Sequence, residues 1–248
     1  MLRKTLSSSD VKTGIVKNQK IRYPEVMEKW ALVTGAAVRV GRECALYLAG
    51  RGYGLILHYF RSYEPVRELE SLLQRQGTPT RTVVCDFAQT DAVDRLWQAA
   101  AVPGLRIIVN NAAVFVPDTP ADAPSETTRR QIRINYEVPF EIMRRVEREL
   151  SGCTVINFLD GRLERSASQF YSYGLSKRMT EWATAAFAAA TRENRYYGIA
   201  PKALLPPVID GREPDNSRCY RVSGTGVLRP VFDTVLAGSA ENGTVFTV

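Results

Sequence analysis

Apolar residues gather in short runs along the chain, and between the runs apolar positions return every three or four residues. The runs "WALVTG" (Trp30 to Gly35), "GLILHY" (Gly54 to Tyr59), "TRTVVCD" (Thr80 to Asp86), "LRIIVNNA" (Leu105 to Ala112), "CTVINFL" (Cys153 to Leu159) and "RYYGIA" (Arg195 to Ala200) read as buried strands. Segments around 41–50, 65–76, 90–101, 125–150 and 168–193 read as helices, and "GTVFTV" reads as a last short strand. Such alternation implies right-handed crossovers, so the pattern predicts an α/β fold: one doubly wound parallel sheet of about seven strands, covered by helices on both faces. Region 201–229, rich in Pro, Gly and Arg, breaks the rhythm and reads as a long irregular substrate loop.

A chain of 248 residues with 45% hydrophobic content can bury the core of one such domain. Charge changes the picture only at the N-terminus. Within residues 1–24, Arg3, Lys4, Lys12, Lys17, Lys20 and Arg22 face Asp10 alone, so this stretch carries +5 of the net +7. Residues 1–26 therefore read as a flexible basic extension, or a targeting leader, ahead of a domain at 27–248, with Met27 a candidate start. A basic nucleic-acid groove is not indicated. No apolar run suits a signal-peptide core or membrane span, and Cys44, Cys85, Cys153 and Cys219 form no CxxC pair. These features predict a cytoplasmic protein with reduced thiols and no metal. His58 is the only histidine, which removes Ser-His-Asp and Cys-His machinery and leaves acid–base work to Asp, Glu, Tyr or Lys.

"VTGAAVRVGRECALYLA" leaves the first strand and opens the first helix, where a dinucleotide pyrophosphate rests on helix-terminal N–H groups. Gly35 and Gly41 allow the tight turn; the position after a first strand, with five more to follow, points to a dinucleotide site of Rossmann type. The second strand ends in "LHYFRS", with no carboxylate to chelate the ribose hydroxyls of NAD. Arg61 and Ser62 stand where a 2′-phosphate would lie, and Arg39 offers a second cation, so NADPH is favoured over NADH.

Tyr173 and Lys177 are four residues apart and share a helix face, so the ammonium is expected to stabilise phenolate and lower the tyrosine's pKa. Tyr171 has no basic residue at +3 or +4 and reads as a packed aromatic. Asp160 precedes Tyr173 by thirteen residues.

Together the glycine loop, "VNNAA", Asn135 in "RINYEVPF" and the Tyr173/Lys177 pair resemble the short-chain dehydrogenase/reductase family over about residues 28–200. Arg39 in the loop, "HYFRS", Phe115 in "NNAAVF", and Asp160 in place of the usual serine within "FLDGRLER" resemble its pteridine reductase and dihydromonapterin reductase branch. The resemblance implies an NADPH-dependent reductase of dihydropterin or dihydrofolate. Asp160 and Tyr173 would manage the proton, Lys177 would hold the nicotinamide ribose with support from Asn135, and Arg39 and Phe115 would grip the pterin. It places Val40, His58, Tyr59, Asp86, Phe87, Asn111 and Ala112 along the cofactor, with Asp86 at the adenine. An ionised Asp160 opposes phenolate formation while Lys177 favours it, so the three groups should titrate as a coupled set, with turnover declining as pH rises.

The chain also departs from the branch. Ala113 and Val114 stand where relatives carry a serine, and "IAPKALLPP" lacks the usual glycine after its proline. A carbonyl or hydroxyl oxidoreductase of the same fold, or a catalytically weak dinucleotide-binding module, remain alternatives. The small side chains of "EWATAAFAAAT" suit close helix packing in a homo-oligomer, a dimer or tetramer.

Overall fold

The computed structural model describes residues 29–162, 168–202 and 224–248. The expected basic extension at 1–26, Cys219 and most of the expected substrate loop lie outside the described residues.

Strands β1 (Trp30–Val33), β2 (Gly54–Tyr59), β3 (Thr80–Val84), β4 (Leu105–Asn110), β5 (Thr154–Phe158), β6 (Arg195–Ala200) and β7 (Val245–Thr247) form one parallel sheet in the order β3-β2-β1-β4-β5-β6-β7. Register follows apolar residues, with Val33 beside Leu57 on one side and Val109 on the other. Side chains alternate between the two faces, which is why the central strands carry consecutive apolar residues such as Ile107, Ile108 and Val109. Ala31, Val33, Leu55 and Leu57 pack on one face, under α1 (Arg39–Gly50), α2 (Tyr63–Arg75) and α7 (Gly224–Leu236). Leu32, Ile56, Ile108 and Val155 pack on the other, under α3 (Ala92–Ala100), α5 (Val138–Glu149) and α6 (Tyr171–Ala190). Strand order reverses between β1 and β4, which opens a crevice at their carboxyl ends.

Two elements differ from the pattern's prediction. The helix expected at 125–150 is α4 (Ser125–Ile132) joined to α5 by a π-helical turn, Arg133–Glu137. Pro139 has no N–H to give the carbonyl of Asn135 four residues earlier, and Thr180 Oγ1 donates to that carbonyl instead at 2.9 Å. The irregular stretch expected at 201–229 is also too long: helix begins at Gly224. Leu228, Val231, Phe232 and Val235 are buried at helical spacing, and this burial outweighs Pro230 inside the helix.

Among the described residues, no helix is long and apolar enough to cross a membrane, and no cluster of His, Cys, Asp and Glu could hold a metal. Cys44, Cys85 and Cys153 are buried free thiols.

Candidate active site

The crevice is a cavity of about 550 Å³ that runs from the glycine loop to Tyr173 and Lys177. Gly35 has φ +63°, and a Cβ there would lie 3.1 Å from Ala112 Cα and from Asn111 Nδ2. A Cβ on Gly41 would lie 2.1 Å from the Gly35 carbonyl oxygen, so α1 approaches the loop as only glycine permits. Asn111 Nδ2 donates to the Thr34 and Gly35 carbonyls at 2.9 and 3.1 Å, which laces β4 to this loop. Arg39 lines the cavity with φ +53°, a left-handed conformation that costs a side-chain-bearing residue strain.

His58 fixes the loop from below. Its Nδ1 accepts from the Gly35 N–H at 3.2 Å, its Nε2 donates to the Cys85 carbonyl at 3.1 Å, and its ring stacks on Phe87 at 4.0 Å. Burial lowers its pKa to about 4, so the ring is neutral and both nitrogens are committed to the protein. His58 and Phe87 line the crevice yet are almost wholly buried, which makes them supports of the cradle.

At the end of β2, Phe60, Arg61 and Ser62 line the cavity, with the Arg61 guanidinium 5.1 Å from the Phe60 ring centroid. Val40, Asp86, Asn111 and Ala112 line it as well, and Asp86 Oδ1 accepts from the Ala88 N–H at 3.0 Å. Tyr59 does not line it; its ring packs near Tyr63.

At the opposite end, Phe115, Asp160, Tyr173 and Lys177 converge. The Phe115 ring stands edge-on to Tyr173 at 4.6 Å and stacks on Phe170 at 4.1 Å. Burial, then the charge of Asp160 and hydrogen bonding with it, drive the Tyr173 pKa well above the usual phenol range. Arg162 opposes this shift more weakly; its backbone N–H donates to Asp160 Oδ1 at 2.7 Å. The expected lowering of the Tyr173 pKa by Lys177 is thus corrected. The ammonium sits 5.7 Å from the tyrosine ring centroid and donates to the Phe158 carbonyl at 2.7 Å, while the carboxylate meets the hydroxyl directly. Burial lowers the Lys177 pKa to about 8, with Asp160 opposing the shift.

Asn135 does not line the cavity. Its side-chain amide accepts from the Val114 N–H at 2.8 Å and donates to the Val114 carbonyl at 2.9 Å and to Ser176 Oγ at 3.2 Å. Its side chain therefore reaches the chain beside Phe115 and the helix bearing Lys177, while the ammonium itself donates to the Phe158 carbonyl. The structure adds Phe60, Arg130, Ile134 and Arg162 to the cavity wall. Arg130 and Ile134 are four residues apart and so share one helical face, a spacing visible in the sequence.

The model of the family described as "short chain dehydrogenase" matches residues 29–216, and the chain belongs to that family. A short-chain type dehydrogenase/reductase of Picea abies is 30% identical over 176 residues; the match covers 65% of each chain, a little under two thirds of the relative. A dihydromonapterin reductase of Citrobacter koseri is 26% identical over 182 residues, 70% of this chain and 73% of that one. The fold is similar to that of FolM alternative dihydrofolate reductase 1 from Brucella suis, solved in complex with NADP, with TM-score 0.75 and 24% identity over 90% of this chain and 94% of that one.

Proposed function

We propose that the protein is an NADPH-dependent reductase of reduced pterins, converting a 7,8-dihydropterin or dihydrofolate to its tetrahydro form. The observation that carries this reading is the Asp160 carboxylate at the Tyr173 hydroxyl, beside the ring of Phe115. The Citrobacter relative and the Brucella structure are named for reactions of this class.

The residues present fit NADPH. The Gly35–Gly41 turn leaves the start of α1 open to a pyrophosphate, and the end of β2 offers Arg61 and Ser62 without a competing carboxylate. When bound, NADPH supplies the hydride. Lys177, held by Phe158, places a cation beside the nicotinamide ribose site. Tyr173 stays protonated under the pressure of burial and Asp160, ready to donate toward a substrate ring nitrogen; that proton leaves with the product, and one from solvent restores the hydroxyl beside Asp160 before the next turnover. Phe115, backed by Phe170, offers a flat face to an aromatic substrate.

We place the enzyme in the cytoplasm as a homo-oligomer, a second copy covering the α6 face where Trp182 is 77% exposed among alanines. A monomer by light scattering would remove that assignment. The functional test is NADPH consumption with dihydrobiopterin, dihydromonapterin and dihydrofolate beside simple ketones and quinones, with Tyr173→Phe as control. Turnover confined to pterins and lost in the variant is expected; activity on carbonyls alone would sink the pterin reading.

A further inference from the structure

The chain leaving β4 runs from Val114 to Asp118 outside the named strands, yet its backbone groups are paired by side chains as a strand's would be. Asn135 takes both the N–H and the carbonyl of Val114. Two residues on, Gln131 does the same for Val116: Oε1 accepts from its N–H at 3.1 Å, and Nε2 donates to its carbonyl at 3.3 Å. The two amides lie four residues apart on one helical face and are 1% and 0% exposed. They form two rungs that flank Phe115.

The same Gln131 Nε2 also reaches Asp118 Oδ2 at 3.4 Å. Asp118 is a carboxylate only 7% exposed, and its Oδ1 accepts from the Ser172 N–H at 3.0 Å. It thereby meets an otherwise unpaired donor at the start of α6, one residue before Tyr173, where negative charge suits the helix dipole. Backbone bonds from Asp118 N–H to the Gln169 carbonyl, and from Tyr171 N–H to the Asp118 carbonyl, bracket Phe170. The Phe115–Phe170 stack and the Tyr173 hydroxyl thus belong to two segments joined through Gln131 and Asp118.

We propose that Gln131 and Asp118 are positioning residues that set the Phe115–Phe170 wall against Tyr173, and so decide which flat ring is held with its reactive atom at the acid. The proposal rests on the reading of Phe115 as a substrate wall. A displacement on the order of 1 Å at such a wall costs up to about a hundredfold in rate.

The test is a double-mutant cycle with Gln131→Met, similar in length but apolar, and Phe115→Ala. Readouts are NADPH Kd by cofactor fluorescence, and KM and kcat for 7,8-dihydrobiopterin and for 9,10-phenanthrenequinone, a flat diketone. Gln131→Met should lower kcat/KM for the flat acceptor about tenfold or more, mainly through KM, and leave NADPH Kd within about twofold. In the Phe115→Ala background it should add less than about twofold, because its action passes through that ring. Asp118→Ala should behave like Gln131→Met, and Asp118→Asn, which keeps an acceptor for Ser172, should recover most of the loss. Full additivity, or equal losses in NADPH and acceptor binding, would overturn the proposal in favour of a merely structural role. Turnover of the quinone but not the pterin would remove the pterin reading, and the same cycle on the quinone would still decide the positioning role.

Discussion

The buried ammonium of Lys177 donates to the backbone carbonyl of Phe158 at 2.7 Å, which ties the cation to the end of β5. Burial lowers its pKa from 10.5 to about 8, so the charge that would hold a ribose is present below about pH 8 and lost as pH rises through it. The pH profile of kcat/KM for NADPH, which reports the free enzyme, should fall on the alkaline side with an apparent pKa near 8. A profile flat to pH 10, where Lys177 has lost its proton on this account, would contradict the role.

His58 predicts a loss of stability in acid. Its folded pKa of about 4 lies below the ordinary imidazole value of 6.5, so its contribution is fully present above pH 6.5 and is lost as pH falls toward 4. The size is about 3 kcal/mol at most. Urea unfolding at pH 7 and pH 4.5 should show a smaller drop in His58→Gln than in the parent protein, even though the variant begins less stable. Equal drops would show that protonation of His58 does not drive the loss.

Arg39 holds a left-handed backbone that glycine would adopt freely. Arg39→Gly should therefore raise unfolding stability by about 1 kcal/mol while weakening NADPH or substrate binding about tenfold. Such a trade identifies a residue kept for its side chain. A less stable variant with unchanged binding would assign Arg39 to the scaffold instead.

These residues show what the sequence could and could not convey. Strands such as Leu105–Asn110 were legible because burial on both faces demands an apolar run, here Ile107 to Val109. Tyr173 and Lys177 were legible as a pair because helical spacing alone brings them to one face. The direction of the tyrosine's shift was not, since it depends first on how deeply the hydroxyl is buried and then on the Asp160 carboxylate reaching it. The π turn was hidden for a similar reason: Pro139 leaves the Asn135 carbonyl without a donor, but the Thr180 hydroxyl that replaces it comes from another helix. His58 read as a cofactor contact because its position on the second strand was visible while its bonds to Gly35 and Cys85 were not. α7 was missed at its start because Gly224, Gly226 and Pro230 mask a buried apolar stripe.

We propose that Asp160, paired with Tyr173, adapts this site to protonate a pterin ring. The most direct measurement is the rate of NADPH oxidation with 7,8-dihydrobiopterin by the parent enzyme and by Asp160→Ser, with NADPH Kd measured alongside. The substitution should lower kcat on the pterin by about a hundredfold or more with NADPH binding retained. Pterin turnover that survives the loss of the carboxylate would contradict it.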